Sequence, residues 1–334
     1  MTTLWDTTGS AVVSALAAER RTGGAVTSGL ALTLVVVVDE NDVAEAESAA
    51  TVAASKHPMR MLLVIRRQIE APVPRLDAEV LIGGRLGPGE AIEMRMYGRL
   101  ALHAESVTLP LLAPDAPVVT WWHGAPPDRI SHDPLGVFAE RRITDTVRSP
   151  DRVAALRQRA VDYAPGDTDL AWTRATTWRA TLASAFDTVL SPAVRASVYG
   201  DQTDPTALLL AGWLSSRLGF YVPVEQRPGD GVVSVEVGFQ DDSAFQALRD
   251  GARMVLRRPD QPDSISPFPE RGLGELLAEE LRRLDADQTY GSALAAVSGL
   301  EGLNERAGKR VHIWNDPALS PDENGDPTPT GTAG

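Results

Sequence analysis

Tryptophan and arginine are the residues of this chain whose types and spacing could do something specific. The run Asp169-Leu170-Ala171-Trp172-Thr173-Arg174-Ala175-Thr176-Thr177-Trp178-Arg179 holds two of each in a short span. On a helix, Trp172 and Arg179 fall two turns apart on one face, and Arg174 and Trp178 form an i, i+4 pair on another. An Arg/Trp pair of that kind can stack through a cation–π contact of roughly 0.5–1 kcal/mol when exposed. Tryptophan and arginine also anchor many protein interfaces. Two readings stay open: a partner-binding block, or a helix wedged between domains with its arginines bonded to backbone carbonyls.

A second run, Val118-Val119-Thr120-Trp121-Trp122-His123-Gly124, reads as a short buried strand ending in a loop. Side chains alternate along a strand, so Trp121 and Trp122 point to opposite faces. Either both are core, or one faces a crevice or a partner. Arg129, Arg141 and Arg142 follow it, and arginine forks suit carboxylates and phosphates. If the strand belongs to a parallel sheet, its carboxyl end opens where such sheets bind ligands. A sugar-phosphate or nucleotide site in that crevice is therefore the rival to protein binding.

Other chemistry finds little support. The five histidines, His57, His103, His123, His132 and His312, include no helical i, i+4 pair; His123, His132 and Asp133 could meet only through loops. There is no cysteine and no GxSxG elbow, which removes thiol chemistry and the recognisable acyl-transfer arrangements. Asp241-Asp242 reads as turn chemistry. Gly83-Gly84-Arg85-Leu86-Gly87-Pro88-Gly89 matches neither dinucleotide nor Walker patterns and reads as a hairpin turn between strands at 78–82 and 91–97.

The elements that must hold these residues alternate. A helix is expected over 6–21, a strand over 30–38 with four consecutive valines, an alanine-rich helix over 42–56 and a strand over 59–66. Short β-branched runs separated by a helix favour a parallel sheet with right-handed crossovers. A helix over 99–109, a short helix over 134–141, a strand over 142–147 and a helix over 151–162 continue the pattern. Beyond Tyr163-Ala164-Pro165-Gly166-Asp167, which breaks it, one long helix is expected over 171–190. Then come a strand over 193–199, a helix over 204–218, strands at 232–239 and 253–257 that could pair, and closing helices over 271–284 and 288–298. The expected fold is α/β: a mostly parallel sheet flanked by helices over 1–165, a second smaller α/β domain over 166–314, and a disordered acidic tail over 315–334.

With 334 residues, 43% of them hydrophobic, the chain can bury a substantial core. Its net charge of −13 argues against nucleic acid as the main partner. Only Lys56 and Lys309 are lysine; the other 30 basic residues are arginine. No run nears the roughly 20 apolar residues of a membrane span, and residues 1–10 lack a signal-peptide pattern. A cytoplasmic protein without cofactor or metal is the expectation.

Several of these blocks carry a resemblance. The stretch from His103 to Leu112, the run from Pro114 to Trp122, and Asp133-Pro134-Leu135 through Arg142-Ile143-Thr144-Asp145 resemble the glucose-6-phosphate dehydrogenase assembly (OpcA) family. Gly166-Asp167-Thr168-Asp169 with Trp172, Arg174, Trp178 and Arg179 is the most specific part. The resemblance spans roughly residues 3–314 and is to the actinobacterial branch, in keeping with the arginine and alanine bias. It implies a non-catalytic assembly factor and allosteric activator that binds glucose-6-phosphate dehydrogenase, at the entrance to the oxidative pentose phosphate pathway. Some family members are linked to redox control through cysteines; this chain has none. Contact residues for the partner are expected among Trp121, Trp122, Arg129, Arg141, Arg142, Trp172, Arg174, Trp178 and Arg179.

Overall fold

The structure, a computed structural model, describes residues 1–22, 29–83, 89–187, 189–259 and 261–308. The acidic tail expected over 315–334 and the interior of the turn expected over 83–89 lie outside the described residues.

The first half forms an eight-stranded sheet from β1 (Thr2–Leu4), β2 (Leu32–Val38), β3 (Met59–Arg67), β4 (Arg75–Ile82), β5 (Glu90–Tyr97), β6 (Val118–Trp122), β7 (Arg141–Thr144) and β8 (Asp167–Asp169). Their order is β1-β4-β5-β3-β2-β6-β7-β8. From β5 to β8 every pairing is parallel; β4 runs against β5, and β1 against β4. The valine run of β2 lies at the centre, with β3 and β6 as neighbours, so apolar side chains on both of its faces are covered. The helices are α1 (Gly9–Thr22), α2 (Val43–Ala54), α3 (Arg99–Leu102), α4 (Glu105–Thr108), α5 (Pro134–Val137) and α6 (Arg152–Asp162). One sheet face packs on Ala46, Ala49, Ala50 and Ala53 of α2; the other packs on Val12 and Leu16 of α1 with Ala101, Ala104 and Val107. Small alanines let α2 approach the sheet closely, which leaves room for a further helix over it.

That further helix comes from late in the chain. After α7 (Leu170–Arg174), α8 (Thr176–Phe186) and α9 (Pro205–Leu218) come α10 (Leu273–Glu280) and α11 (Gln288–Ser298). Leu276, Leu277, Ala278 and Leu281, on and just after α10, join the core around α2. A second sheet has the order β10-β9-β11-β12-β13-β14, from β9 (Ala193–Gly200), β10 (Val224–Gln226), β11 (Val232–Phe239), β12 (Ala244–Asp250), β13 (Arg253–Arg257) and β14 (Ser264–Pro267). Residues of α7, α8, α9 and α11 close over it in one core. The α/β expectation therefore holds: a mostly parallel sheet flanked by helices, then a second, smaller α/β unit.

Local differences have local causes. The strand at 253–257 pairs not with 232–239 but with the intervening β12, whose sequence Ala244–Asp250 lacks β-branched residues. The helix expected over 99–109 breaks at His103, which leaves helical geometry at φ −115° and ψ 41°. The long helix expected from 171 to 190 is two helices meeting at Ala175, and the second stops at Phe186. Three-residue β8, between Gly166 at φ +97° and α7, was not expected; three residues are too few for periodicity to register.

Candidate functional site

The α7–α8 unit is positioned by carboxylates. Asp169 is fully buried and accepts from the Thr144 hydroxyl at 2.7 Å, the Thr146 amide and hydroxyl at 3.0 Å, and the Ala171 amide at 2.9 Å. It thus caps α7 and ties it to the segment after β7. Burial, together with the neighbouring Asp145, pushes its pKa upward against those bonds. Asp167 pairs with Arg142 and accepts from the Ala164 amide at 2.9 Å. A side chain on Gly166 would come within 2.8 Å of the Arg142 guanidinium. The most specific sequence block is therefore, first, a structural clasp.

The two faces assigned to the Trp/Arg block are real, but the stacking pair differs. Arg179 lies over the ring of Trp172, its guanidinium carbon 3.4 Å from the centroid. Arg174 instead forms a two-pronged pair with Asp145, at 2.6 and 2.8 Å. The cause is Asp145, a carboxylate with only 1% of its side chain exposed, which holds Arg174 through charge-assisted bonds. Trp178 meets Phe268 edge to face at 5.6 Å.

Two clefts flank the unit. The first, about 500 Å³, is lined by Arg174 and Trp178 together with Arg152, Arg249, Arg271, Asp201 and Asp204. The second, about 780 Å³, is lined by Arg141, Trp172, Thr176 and Arg179 and by the segment from Glu279 to Thr289.

The burial of the nine expected contact residues divides them. Trp121, Trp122, Trp172 and Trp178 are between 0% and 2% exposed. Trp121 packs in the α2 core and Trp122 lies against Gly136 on the opposite side, so both tryptophans of β6 are core because both sheet faces are covered. Arg141 and Arg142 are also buried: Arg141 pairs with Glu280 and donates to the Asp285 carbonyl, and Arg142 pairs with Asp167 and donates to the Ala139 and Pro165 carbonyls. Arg174 and Arg179 are half-buried and Arg129 is exposed. The six buried residues have no surface for a partner in this conformation. Tryptophan burial follows from its area wherever a core can take it, and arginine went with it where carboxylates were at hand.

Trp5, absent from the expected contact residues, is 71% exposed. It follows β1, beside Asp6 at φ +46°, whose amide donates to Asp77. Asp77 also accepts from Arg75, whose guanidinium, like that of Arg67, lies over the Tyr97 ring, 5.4 and 5.5 Å from its centroid. The sequence signal for Trp5 was slight: a tryptophan in a terminal segment with little to pack on.

The crevice after Trp122 lies where the strand order reverses, between the carboxyl ends of β2 and β6. Its groups are Asp39, Asp42, Glu45, His123 and Arg148. The Arg148 fork is spent on Glu45, at 3.0 and 2.8 Å, and holds the Glu45 carboxyl below its usual range. His123 is fully buried, its Nε2 3.1 Å from Glu45, and burial lowers its pKa. Three carboxylates around one committed arginine are poor company for a phosphate. Arg129, Arg141 and Arg142 do not complete a clamp there, since Arg141 and Arg142 are already paired. Among the described residues, no group of three or more His, Asp or Glu side chains could hold a metal ion, and no helix is long and apolar enough to cross a membrane.

Comparison with known proteins gives two adjoining family matches. Residues 50–161 match the N-terminal domain, and residues 165–294 the C-terminal domain, of the family described as a glucose-6-phosphate dehydrogenase subunit. No curated protein matches the chain. Among solved structures, an oxidoreductase from Sinorhizobium meliloti aligns over 85% of this chain and 99% of its own, at 9% identity and a TM-score of 0.44.

Proposed function

Since the chain belongs to the OpcA family of glucose-6-phosphate dehydrogenase assembly proteins, we propose that it binds that dehydrogenase and shifts it toward a more active assembly, without chemistry of its own. The observation that carries this is the pair of family matches, which adjoin between residues 161 and 165 and extend into both sheets. The crevice at the strand ends supports it, because its arginine is spent on Glu45 and the groups around that pair are carboxylates and a buried histidine. A binding protein can change an enzyme's activity only through unequal affinity for its states, so activation requires a surface that fits one state of the dehydrogenase better.

We place that surface where tryptophan and arginine still offer area: at exposed Trp5, near the Arg67–Tyr97–Arg75 stack, and at exposed Arg129. Arg174 contributes an edge in the first cleft. The buried tryptophans and Arg141 and Arg142 act as the frame that fixes these positions. We take residues 1–165 and 166–314 as its two domains; among the described residues, β8 and α10 of the second join the sheet and the core of the first.

The test is dehydrogenase activity with and without this chain across a range of glucose 6-phosphate concentrations. The expected result is a saturable rise that tracks complex formation. Trp5→Ala should weaken the complex by roughly 2 kcal/mol if it is an anchor, with unchanged thermal stability. Full affinity in that variant would remove Trp5 from the interface, and absence of any complex with wild type would refute the function.

A further inference from the structure

The second cleft has a charge arrangement that neither the fold nor the partner reading explains. Its acids are mostly committed. Glu280 pairs with Arg141 and accepts from the Thr173 hydroxyl at 2.6 Å. Glu279 pairs with Arg271 and accepts from the Thr176 hydroxyl at 2.7 Å. Asp287 accepts the Trp172 indole N–H at 2.8 Å and caps α11 through the amides of Thr289 and Tyr290.

Three of its cations form no close ion pair with a carboxylate among the described residues. Arg179, flat on Trp172, donates only to neutral oxygens, the Trp172 carbonyl and the Thr176 hydroxyl, at 3.3 and 3.1 Å. Its buried Nε has no acceptor among the described residues, and neither does that of Arg141, which is 3% exposed. Burial brings the Arg179 pKa down to about 10, against the pull of the nearby Asp287, Glu280 and Glu279 carboxylates. Arg282 and Arg283 are exposed at the cleft and form no ion pair with any described residue. Against these three stands one cleft acid whose carboxylate is unengaged among the described residues, Asp285, which uses its carbonyl to accept from Arg141.

From this geometry we infer that the cleft binds a small phosphorylated metabolite, with Arg179, Arg282 and Arg283 holding the phosphate. Stacking on the indole fixes the plane of Arg179; its Nη2 is held by the Trp172 carbonyl and the Thr176 hydroxyl, which leaves Nη1 to reach an anion beside the two exposed arginines. The cleft volume of about 780 Å³ lies within the range of small-molecule sites, too confined for a folded surface yet roomy for a phosphate ester and its carbon skeleton. The inference goes beyond the partner reading and does not depend on it, because binding is expected in the absence of any dehydrogenase.

The experiment is isothermal titration of the full chain with inorganic phosphate and with glycerol 3-phosphate, at constant ionic strength, with chloride and a glutamate-rich peptide as comparison arms. Saturable binding of glycerol 3-phosphate, tighter than inorganic phosphate, is expected. The double variant Arg282→Gln with Arg283→Gln alters only exposed side chains and should lose at least ~10-fold in affinity. Arg152→Gln, in the first cleft, should bind as wild type does. Three outcomes would overturn the inference: no saturable binding, equal affinity in the double variant, or the peptide binding more tightly than either phosphate.

Discussion

The two clefts beside α7 and α8 are built from the same residue types and do opposite things with them. In the first, Arg174 is locked to Asp145, Arg271 to Glu279 and the Thr173 carbonyl, and Arg249 leans over Phe268 while donating to the Gly251 carbonyl. Arg152 lies 3.7 Å from Asp201. In the second, Arg179, Arg282 and Arg283 lack such partners among the described residues. The difference lies in where the acids fall. Asp145 and Glu279 come from elements that reach the first group, whereas Glu280 and Asp287 of the second cleft are taken by Arg141, Thr173, Trp172 and the start of α11. An arginine-rich composition thus states neither structure nor function; the nearest carboxylate decides.

The largest expected effect tests the frame on which both clefts rest. Trp172→Ala removes a buried side chain and the platform of Arg179, and should cost about 3–5 kcal/mol in chemical denaturation. A stable variant that had lost only partner binding would make Trp172 a surface anchor and undo the division between frame and contact. Next, Arg174→Ala leaves Asp145 buried beside Asp169 without its cation. Breaking such a pair costs up to about 3–5 kcal/mol when both partners are buried; Arg174 is 28% exposed, so roughly 2 kcal/mol is expected. A loss below about 0.5 kcal/mol would show that the first cleft does not need its pairing.

A smaller effect belongs to the crevice at the strand ends. Burial holds the His123 pKa below its ordinary 6.5, so the unfolded chain takes up a proton there before the folded chain does. Stability should therefore fall as pH drops through and below about 6.5, by at most ~1.4 kcal/mol per pH unit. His123→Gln should flatten that slope; an unchanged slope would mean other groups control it. Smallest of all, Arg282→Gln with Arg283→Gln should leave stability within about 0.5 kcal/mol of wild type, because neither side chain forms an ion pair with a described residue. A marked loss would place those arginines in the structural class of Arg174.

These residues also show what was legible in the sequence. The α/β fold was, since valine runs and alanine-rich helices register in local pattern. The two faces of the Trp/Arg block were, because helical spacing survived the break at Ala175. Which arginine would stack was not: that depended on Asp145, 29 residues away from Arg174 in sequence. Nor was the burial of Trp121 and Trp122, which required knowing that α2 covers one sheet face and α5 the other. Trp5 carries no such signal, because a lone tryptophan near a terminus has no pattern around it. The three-residue strand β8 was hidden inside a turn-like run, although the same run carried the family resemblance.

A partner of the dehydrogenase must associate with it in solution. The most direct test of that association is sedimentation velocity of the purified chain mixed with purified glucose-6-phosphate dehydrogenase over a range of ratios. A faster-sedimenting complex of fixed composition that saturates as the chain is added is expected, at concentrations of about 10 μM or below. Two species sedimenting independently at every ratio would contradict it.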